Sequence, residues 1–409
     1  MVVTEVPARV PVSSRAWWGA GIALAVVGWG ANQFPPLIVL YQSRLGLSSA
    51  VLDAMFGLYA LGLVPALLVG GRLSDRFGRR PLIAPALVVS FVASCMLAAG
   101  GDTPGWLYIG RLLAGVASGL AFGTGAAWVK ELSAGDAGVG PRRATVAMTI
   151  GFAAGPFVAG LIAQWAPAPT VTAYLPHLVL TVAATVVVWR TPDPGTAIAA
   201  APTRRPHTRR SLARHFLLVI APFAPWVFGT AAIGIAYLPA LAAHHAGHQP
   251  LMFSAVTVAV GAAIGIVAQP LAKAVHRPGT NRLLMTAMLL VLAGLGSAAW
   301  AAHELSPALV IAASLVLGVG YGVSQFCGLL SVQQLADPRS LGTATAVYQV
   351  LSYIGFAFPF GMSVAQAHLH ASPPVLLMIL AGIAAVATAW LASVTARRGT
   401  TGPTSTPPV

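Results

Sequence analysis

Three ionisable side chains, Asp53, Arg111 and His177, fall inside long apolar runs of the chain. A charge at such a depth is costly and is kept where it pairs, carries a proton or meets a ligand. Asp53 has two readings: a proton-carrying carboxylate, or a cap for the helix that begins near Ser48-Ser49. Arg111 either acts within the membrane or snorkels to the interface from about six residues inside its run. The two are able to pair. His177 is a further proton carrier, with a hydrogen-bonded structural histidine as the alternative. Neutral polar groups collect at three more places: Trp29, Asn32 and Gln33 before Pro35-Pro36; Tyr237; and Tyr321, Ser324 and Gln325 among several glycines. Each can serve a polar solute or bond to a neighbouring helix.

The densest cluster is Gly71-Arg72-Leu73-Ser74-Asp75-Arg76-Phe77-Gly78-Arg79-Arg80. Asp75 can accept hydrogen bonds from arginines, which include Arg76, Arg79 and Arg80 of the same cluster, or from a helix N-terminus. Gly78 permits a turn that other residues resist, and Gly71 allows a close helix approach. Glu131 is placed to join this charge network. A second run, Gly151-Phe152-Ala153-Ala154-Gly155-Pro156-Phe157-Val158-Ala159-Gly160, combines small residues with a proline that removes a backbone donor. Gly115, Gly119 and Gly123 recur at four-residue spacing beyond Arg111 and make one smooth helix face. The two cysteines, Cys95 and Cys327, are far apart, and no span carries a metal-ligand cluster. His244, His245 and His248 share one loop and His368 and His370 another; solvated histidines are the default there, with metal binding or pH sensing as alternatives.

The elements that must position these groups follow from composition. Of 409 residues, 57% are hydrophobic and 8% charged, where a soluble domain carries about a quarter charged. So few charges cannot cover a water-facing surface, whereas a bilayer-crossing helix needs about 20 apolar residues. Breaks in hydropathy define spans at 17–40, 50–71, 81–100, 105–129, 143–165, 170–190, 214–240, 251–272, 282–301, 306–334, 339–366 and 373–395. The runs are too long and continuous for barrel strands, so all are expected to be helices. With the N-terminus inside, every lysine and arginine except Arg44 and Arg111 falls on the cytoplasmic side. The net charge of +14 is thereby explained by topology and not by nucleic acid. The expected organisation is a tail at 1–16, a six-helix bundle at 17–190, a linker at 191–213 rich in Pro, Thr and Arg, a second bundle at 214–395, and a tail at 396–409.

The loop at Gly71–Arg80 closely resembles the signature G-x-L-x-D-R-x-G-R-R of the major facilitator superfamily, and lies where that family carries it. Arg111 with Gly115 resembles the family's fourth-helix motif R-x-x-x-G. The run from Gly151 to Gly160 is similar to the fifth-helix motif G-x-x-x-G-P-x-x-G-G of the antiporter branch, departing from it at Ala159. The resemblance implies an all-helical membrane fold of twelve spans in two pseudo-symmetric six-helix bundles. It implies that the signature loop latches the cytoplasmic side against helix eleven, expected to start near Asp337-Pro338-Arg339. It also implies that the fifth helix packs on the eighth, where Gly261 and Gly265 offer matching spacing. Helices one, four, seven and ten line the cavity in this family, which makes Trp29, Asn32, Gln33, Tyr237, Tyr321, Ser324 and Gln325 the substrate-facing candidates.

The first functional reading is export of a hydrophobic or amphipathic small molecule by proton antiport, with Asp53 and Arg111 as coupling residues. The second is uptake or facilitated flux of a sugar or small organic metabolite. A sensor or membrane enzyme without transport is the third, and no nucleotide loop or nucleophile motif supports it. The expected location is the plasma membrane, with both termini cytoplasmic. The chain is expected to act as a monomer, with the proton as coupling ion and with no cofactor, metal or nucleic-acid partner.

Overall fold

The computed structural model describes residues 16–101, 103–133, 139–193, 213–277, 280–335 and 341–399, and these residues form helices joined by short turns. Twelve helices are long and apolar enough to cross a bilayer: α1 (Trp17–Leu45), α2 (Ser49–Phe77), α3 (Arg80–Ala99), α4 (Gly105–Leu132), α5 (Val139–Trp165), α6 (Pro169–Arg190), α7 (Ala213–His245), α8 (Pro250–Val275), α9 (Arg282–Glu304), α10 (Pro307–Leu335), α11 (Ala344–Leu369) and α12 (Pro373–Ala396). Each coincides with one span expected from hydropathy. Several run longer, because helical hydrogen bonding continues past the last apolar side chain. At about 1.5 Å per residue α2 extends roughly 43 Å, beyond a hydrocarbon core of about 30 Å, which carries its arginine-rich end out of the apolar zone.

Prolines shape three spans. The α-helix of α1 stops at Asn32, and a 3₁₀ turn at Pro35–Leu37 precedes its last segment. In α11 a 3₁₀ turn at Ile354–Ala357 precedes Pro359. In α7, π-type turns span Phe216–Ile220 and Ile233–Tyr237 near Pro222 and Pro239. A proline supplies no N–H to the helical ladder, so the backbone adjusts around it.

The two halves repeat one packing scheme. In the first, α4 packs on α2 and α3, α1 on α5, and α6 on α1 and α3. In the second, α10 packs on α8 and α9, α7 on α11, and α12 on α7 and α9. The halves meet mainly where α5 packs on α8 and α2 on α11, again a symmetry-related pair. Bare backbone makes the tightest contacts within each half. A Cβ at Gly115 would strike the Tyr59 carbonyl, one at Gly119 the Leu63 carbonyl, and one at Gly322 the Gly265 carbonyl. Gly261 and Gly265 therefore face α10, not α5 as their spacing suggested.

Gly115→Leu is expected to lower stability by about 1–3 kcal/mol through overpacking of α2 against α4. Gly296→Leu, at a position where a Cβ would meet nothing within 4 Å, should melt within a degree or two of the parent. Melting of detergent-purified protein checks this, and equal melting temperatures for the two variants would contradict the packing described.

Candidate functional site

A cavity of about 580 Å³ lies between the halves. It is lined along α2 by Phe56, Tyr59, Leu63, Leu67 and Gly71, and along α11 by Thr345, Gln349, Tyr353 and Phe356. Asn32, Arg111, Ala126, Thr145, Gln269, Tyr321, Gln325 and Leu329 complete much of the remaining wall. Gly71, Ala126, Thr145, Gln269, Leu329 and Thr345 all sit near the span ends on the face that carries Arg72 to Arg80. The cavity thus runs from mid-span toward this basic face.

The opposite end is shut. Phe56 and Tyr59 of α2 meet Phe356 of α11 at ring centroid distances of 5.1 and 6.0 Å. Phe228 of α7 stacks on Tyr353 at 4.3 Å and meets Phe356 at 5.4 Å. Beyond this aromatic plate, the Ser363 hydroxyl of α11 donates to Asp53 Oδ2 of α2 at 2.5 Å. Gln164 of α5 bridges to the second half through both amide atoms. Its Nε2 donates to the His248 carbonyl at 3.2 Å, and its Oε1 accepts from the backbone N–H groups of Leu251 and Met252 at 3.1 and 3.2 Å. A second, smaller chamber of about 140 Å³ lies at this seam, lined by Asp53, Tyr237, His244, Ser363 and Gln366 among others. The Tyr237 hydroxyl is buried there without a hydrogen-bond partner among the described residues.

Asp53 is 4% exposed and does not cap α2; the Ser48 hydroxyl does, accepting from the Val51 N–H. Arg111 is 1% exposed, so it does not snorkel. Nor does it pair with Asp53. Its guanidinium donates to the carbonyls of Ala31 (3.1 Å), Phe56 (3.1 Å) and Met55 (3.4 Å). It lies 4.9, 5.7 and 4.8 Å from the rings of Phe34, Phe56 and Tyr59. Carbonyl dipoles and ring faces stabilise the cation where no carboxylate reaches it.

Helical phase sorts the remaining cavity candidates. Asn32, Tyr321 and Gln325 line the cavity, whereas Trp29, Gln33 and Ser324 do not. Successive helix positions turn by about 100°, so Asn32 and Gln33 cannot share a face. Gln33 turns to α3 and donates to Ser94 Oγ at 2.8 Å. Ser94 in turn bonds His177 Nδ1 at 2.8 Å, and His177 Nε2 reaches the Val26 carbonyl at 3.1 Å. This buried network fits a neutral imidazole, with Nε2–H the donor as its partners dictate. His177 is then a structural tie among α1, α3 and α6. Tyr237 lines the outer chamber instead of the main cavity.

The Gly71–Arg80 cluster builds a network inside the first half. Arg79 donates to Asp75 at 2.7 Å, to Ser74 at 2.6 Å and to Glu131 of α4 at 2.7 Å. The Glu131 hydrogen bond holds the Arg79 guanidinium above its ordinary range, so its charge persists at any working pH. The backbone N–H groups of Arg79 and Arg80 donate to Asp193, and the Arg80 side chain donates to the Thr191 carbonyl. Gly78 has φ +97°, and a Cβ there would press on the Asp193 carboxylate. Arg76 instead points over Phe77. Gly71 makes no close helix approach: a Cβ there would meet nothing within 4 Å, because the cavity opens beside it. Asp337, Pro338 and Arg339, the expected partners across the halves, lie outside the described residues.

The fifth-helix run divides its contacts. Gly151 and Gly155 admit the α1 backbone at Ala25 and Trp29, while Gly160 alone faces α8, at Leu251 and Ala255. Pro156 is buried between them.

The sequence model described as Major Facilitator Superfamily matches residues 20–360. The chain belongs to this superfamily. Within the major facilitators, it is 35% identical over 106 residues to the inner membrane transport protein YajR of Escherichia coli strain K12, covering 26% of this chain and 23% of that one. It is 32% identical over 108 residues to the puromycin resistance protein pur8 of Streptomyces alboniger, covering 25% and 21%. It is 35% identical over 78 residues to the multidrug resistance protein MdtL of Klebsiella pneumoniae, covering 19% and 20%. The matched stretch therefore spans less than a quarter of each relative. Among solved structures, a peptide transporter of the POT family in complex with sulfate superposes with TM-score 0.71 at 13% identity, covering 95% of both chains. A D-xylose–proton symporter superposes with TM-score 0.68 at 14% identity, covering 92% of this chain and 96% of that one. These likenesses are of fold. By family and fold, this major facilitator is a multi-pass membrane protein.

Sequence reasoning did not single out Ser363, Gln164, Asp193 or the aromatic plate. Phe56, Tyr59, Leu63, Leu67 and Gly71 recur every three or four residues, a legible stripe down one helix face. Ser363 and Asp53 are separated by 310 residues, and nothing local announces their meeting. For the loop network, a double-mutant cycle on Arg79→Gln and Glu131→Gln is expected to give a coupling of about 1 kcal/mol. It is read from melting of the purified protein, and additive single effects would contradict the pairing.

Proposed function

We propose that this major facilitator exports a hydrophobic or amphipathic small molecule from the cytosol by proton antiport, with alternating access around the cavity. The observation that carries the reading is the position of Asp53. It is the one acid buried within a span among the described residues, and it sits at the seam that shuts the cavity. The lysines and arginines orient the open mouth and both termini to the cytosol under the positive-inside rule, in the plasma membrane. The cavity wall is largely apolar, which suits a substrate that partitions from the inner leaflet. The names of the puromycin and multidrug resistance relatives favour export.

In this scheme a proton from outside reaches Asp53 through the small chamber. A neutral carboxyl is less costly to bury than a carboxylate, so protonation favours the outer-closed state seen here. Release of that proton to the cytosol by way of the cavity restores a charge that gains by meeting water, and so favours opening of the outer seam. The rigid halves then rock about the cavity and expose its contents outside. A second reading, uptake of a sugar or other metabolite, draws on a local relative, a facilitated glucose transporter member 10 of Mus musculus, 35% identical over 109 residues, covering 27% of this chain and 19% of that one. The predominance of apolar surface in the cavity wall favours export over sugar uptake.

Asp53→Asn is expected to abolish efflux driven by a pH gradient in inside-out vesicles while expression persists. The substrate is taken from a toxic-compound growth panel run with and without a protonophore. Undiminished gradient-driven efflux in that variant would remove Asp53 from coupling, and inward accumulation by right-side-out cells would favour uptake.

A further inference from the structure

The mid-membrane end of the cavity has an electrostatic character that a purely apolar site lacks. Among the described residues of the cavity wall, Arg111 is the one charged group, with no Asp, Glu, Lys or His beside it. Its carbonyl bonds engage one N–H each on Nε, Nη1 and Nη2. A guanidinium carries five N–H donors, so one remains on each terminal nitrogen for a further acceptor such as a carboxylate. A cation this deep without an anionic partner has lost most of its hydration, and carbonyls and ring faces replace only part of it. An anion arriving beside it regains much of that loss, whereas an organic cation meets uncompensated repulsion.

We propose that this end of the cavity is an anion-binding site, in which Arg111 receives the carboxylate of a substrate whose apolar, aromatic body lies against Phe56, Tyr59 and Phe356. The inference rests on the export reading for direction only, and it narrows the substrate class to amphipathic monoanions. Two further features fit. Exposed Arg72 follows the wall residue Gly71, and exposed Arg142 precedes the wall residue Thr145 by three positions; positive charge so placed raises the local concentration of anions. Asn32, next to the Ala31 carbonyl that holds Arg111, lines the same wall and offers a neutral amide to a second carboxylate oxygen.

The test uses the full chain in detergent or nanodiscs and three probes of one shape: 2-naphthoate, 2-naphthamide and 2-naphthylmethylammonium. Calorimetric titration should show the carboxylate binding at least about tenfold more tightly than either analogue. Arg111→Gln should remove that preference, weakening naphthoate by about tenfold to a hundredfold and leaving the amide unchanged, while Arg111→Lys retains part of it. If Arg111→Gln does not fold, the ranking of the three probes on the parent protein decides. Equal affinities, or tighter binding of the ammonium, would overturn the proposal, as would a carboxylate preference that survives in Arg111→Gln. Naphthoate binding without proton-driven export would leave the site standing and overturn the export reading. Export of the ammonium compound alone would do the reverse.

Discussion

A carboxylate in the apolar interior must either find donors or give up its charge, and this constraint governs where the two halves of the molecule meet. Asp53 comes from the second helix and its donor Ser363 from the eleventh, so this hydrogen bond crosses the seam between the halves, beside those that Gln164 makes to the second half. The aromatic plate of Phe56, Tyr59, Phe228, Tyr353 and Phe356 lies between that seam and the cavity. Under the antiport scheme we propose, the state of Asp53 at this seam sets whether the outer end is open or shut.

Close packing holds each half together as one body. Within each half, backbones approach so closely at Gly115, Gly119 and Gly322 that the helices cannot slide without collision. The buried chain from Gln33 through Ser94 and His177 to Val26 ties α1, α3 and α6 together. At the basic face, Arg79 joins the α2–α3 turn to α4, and Asp193 adds the start of the linker. Between the halves, by contrast, the contacts gather along two symmetry-related helix pairs. Stiff bodies joined along two seams are the mechanical requirement for rocking about a central cavity.

The spans were legible because bilayer thickness imposes a length on every apolar run, and the alternating arginines confirm the count. That Asp75 would meet an arginine was legible from the motif; that the partner is Arg79 follows from helix phase, since four residues make about one turn. Arg111 and Asp53 stood out because charge is rare at depth. What was not legible required knowing helix phase or distant contacts. Asn32 and Gln33 look equivalent in sequence, yet one faces the cavity and the other bonds Ser94 of α3. Gly261 and Gly265 matched the spacing of α5 but serve α10, since any smooth stripe fits any close neighbour. The partners Ser363 and Asp193 carry no signal of their own, because a serine or an aspartate near a helix end is commonplace.

The central claim is that the charge on Asp53 sets the balance between shut and open outer seams. Spin labels on cysteines at positions 44 and 370, one in each half near the outer end, report that balance by pulsed electron–electron distance measurement, in a chain whose Cys95 and Cys327 are replaced. The account predicts a short distance at low pH, a growing longer population as the pH rises, and a fixed short distance in Asp53→Asn at every pH. A distribution that ignores pH in the parent, or that follows pH equally in Asp53→Asn, would contradict it.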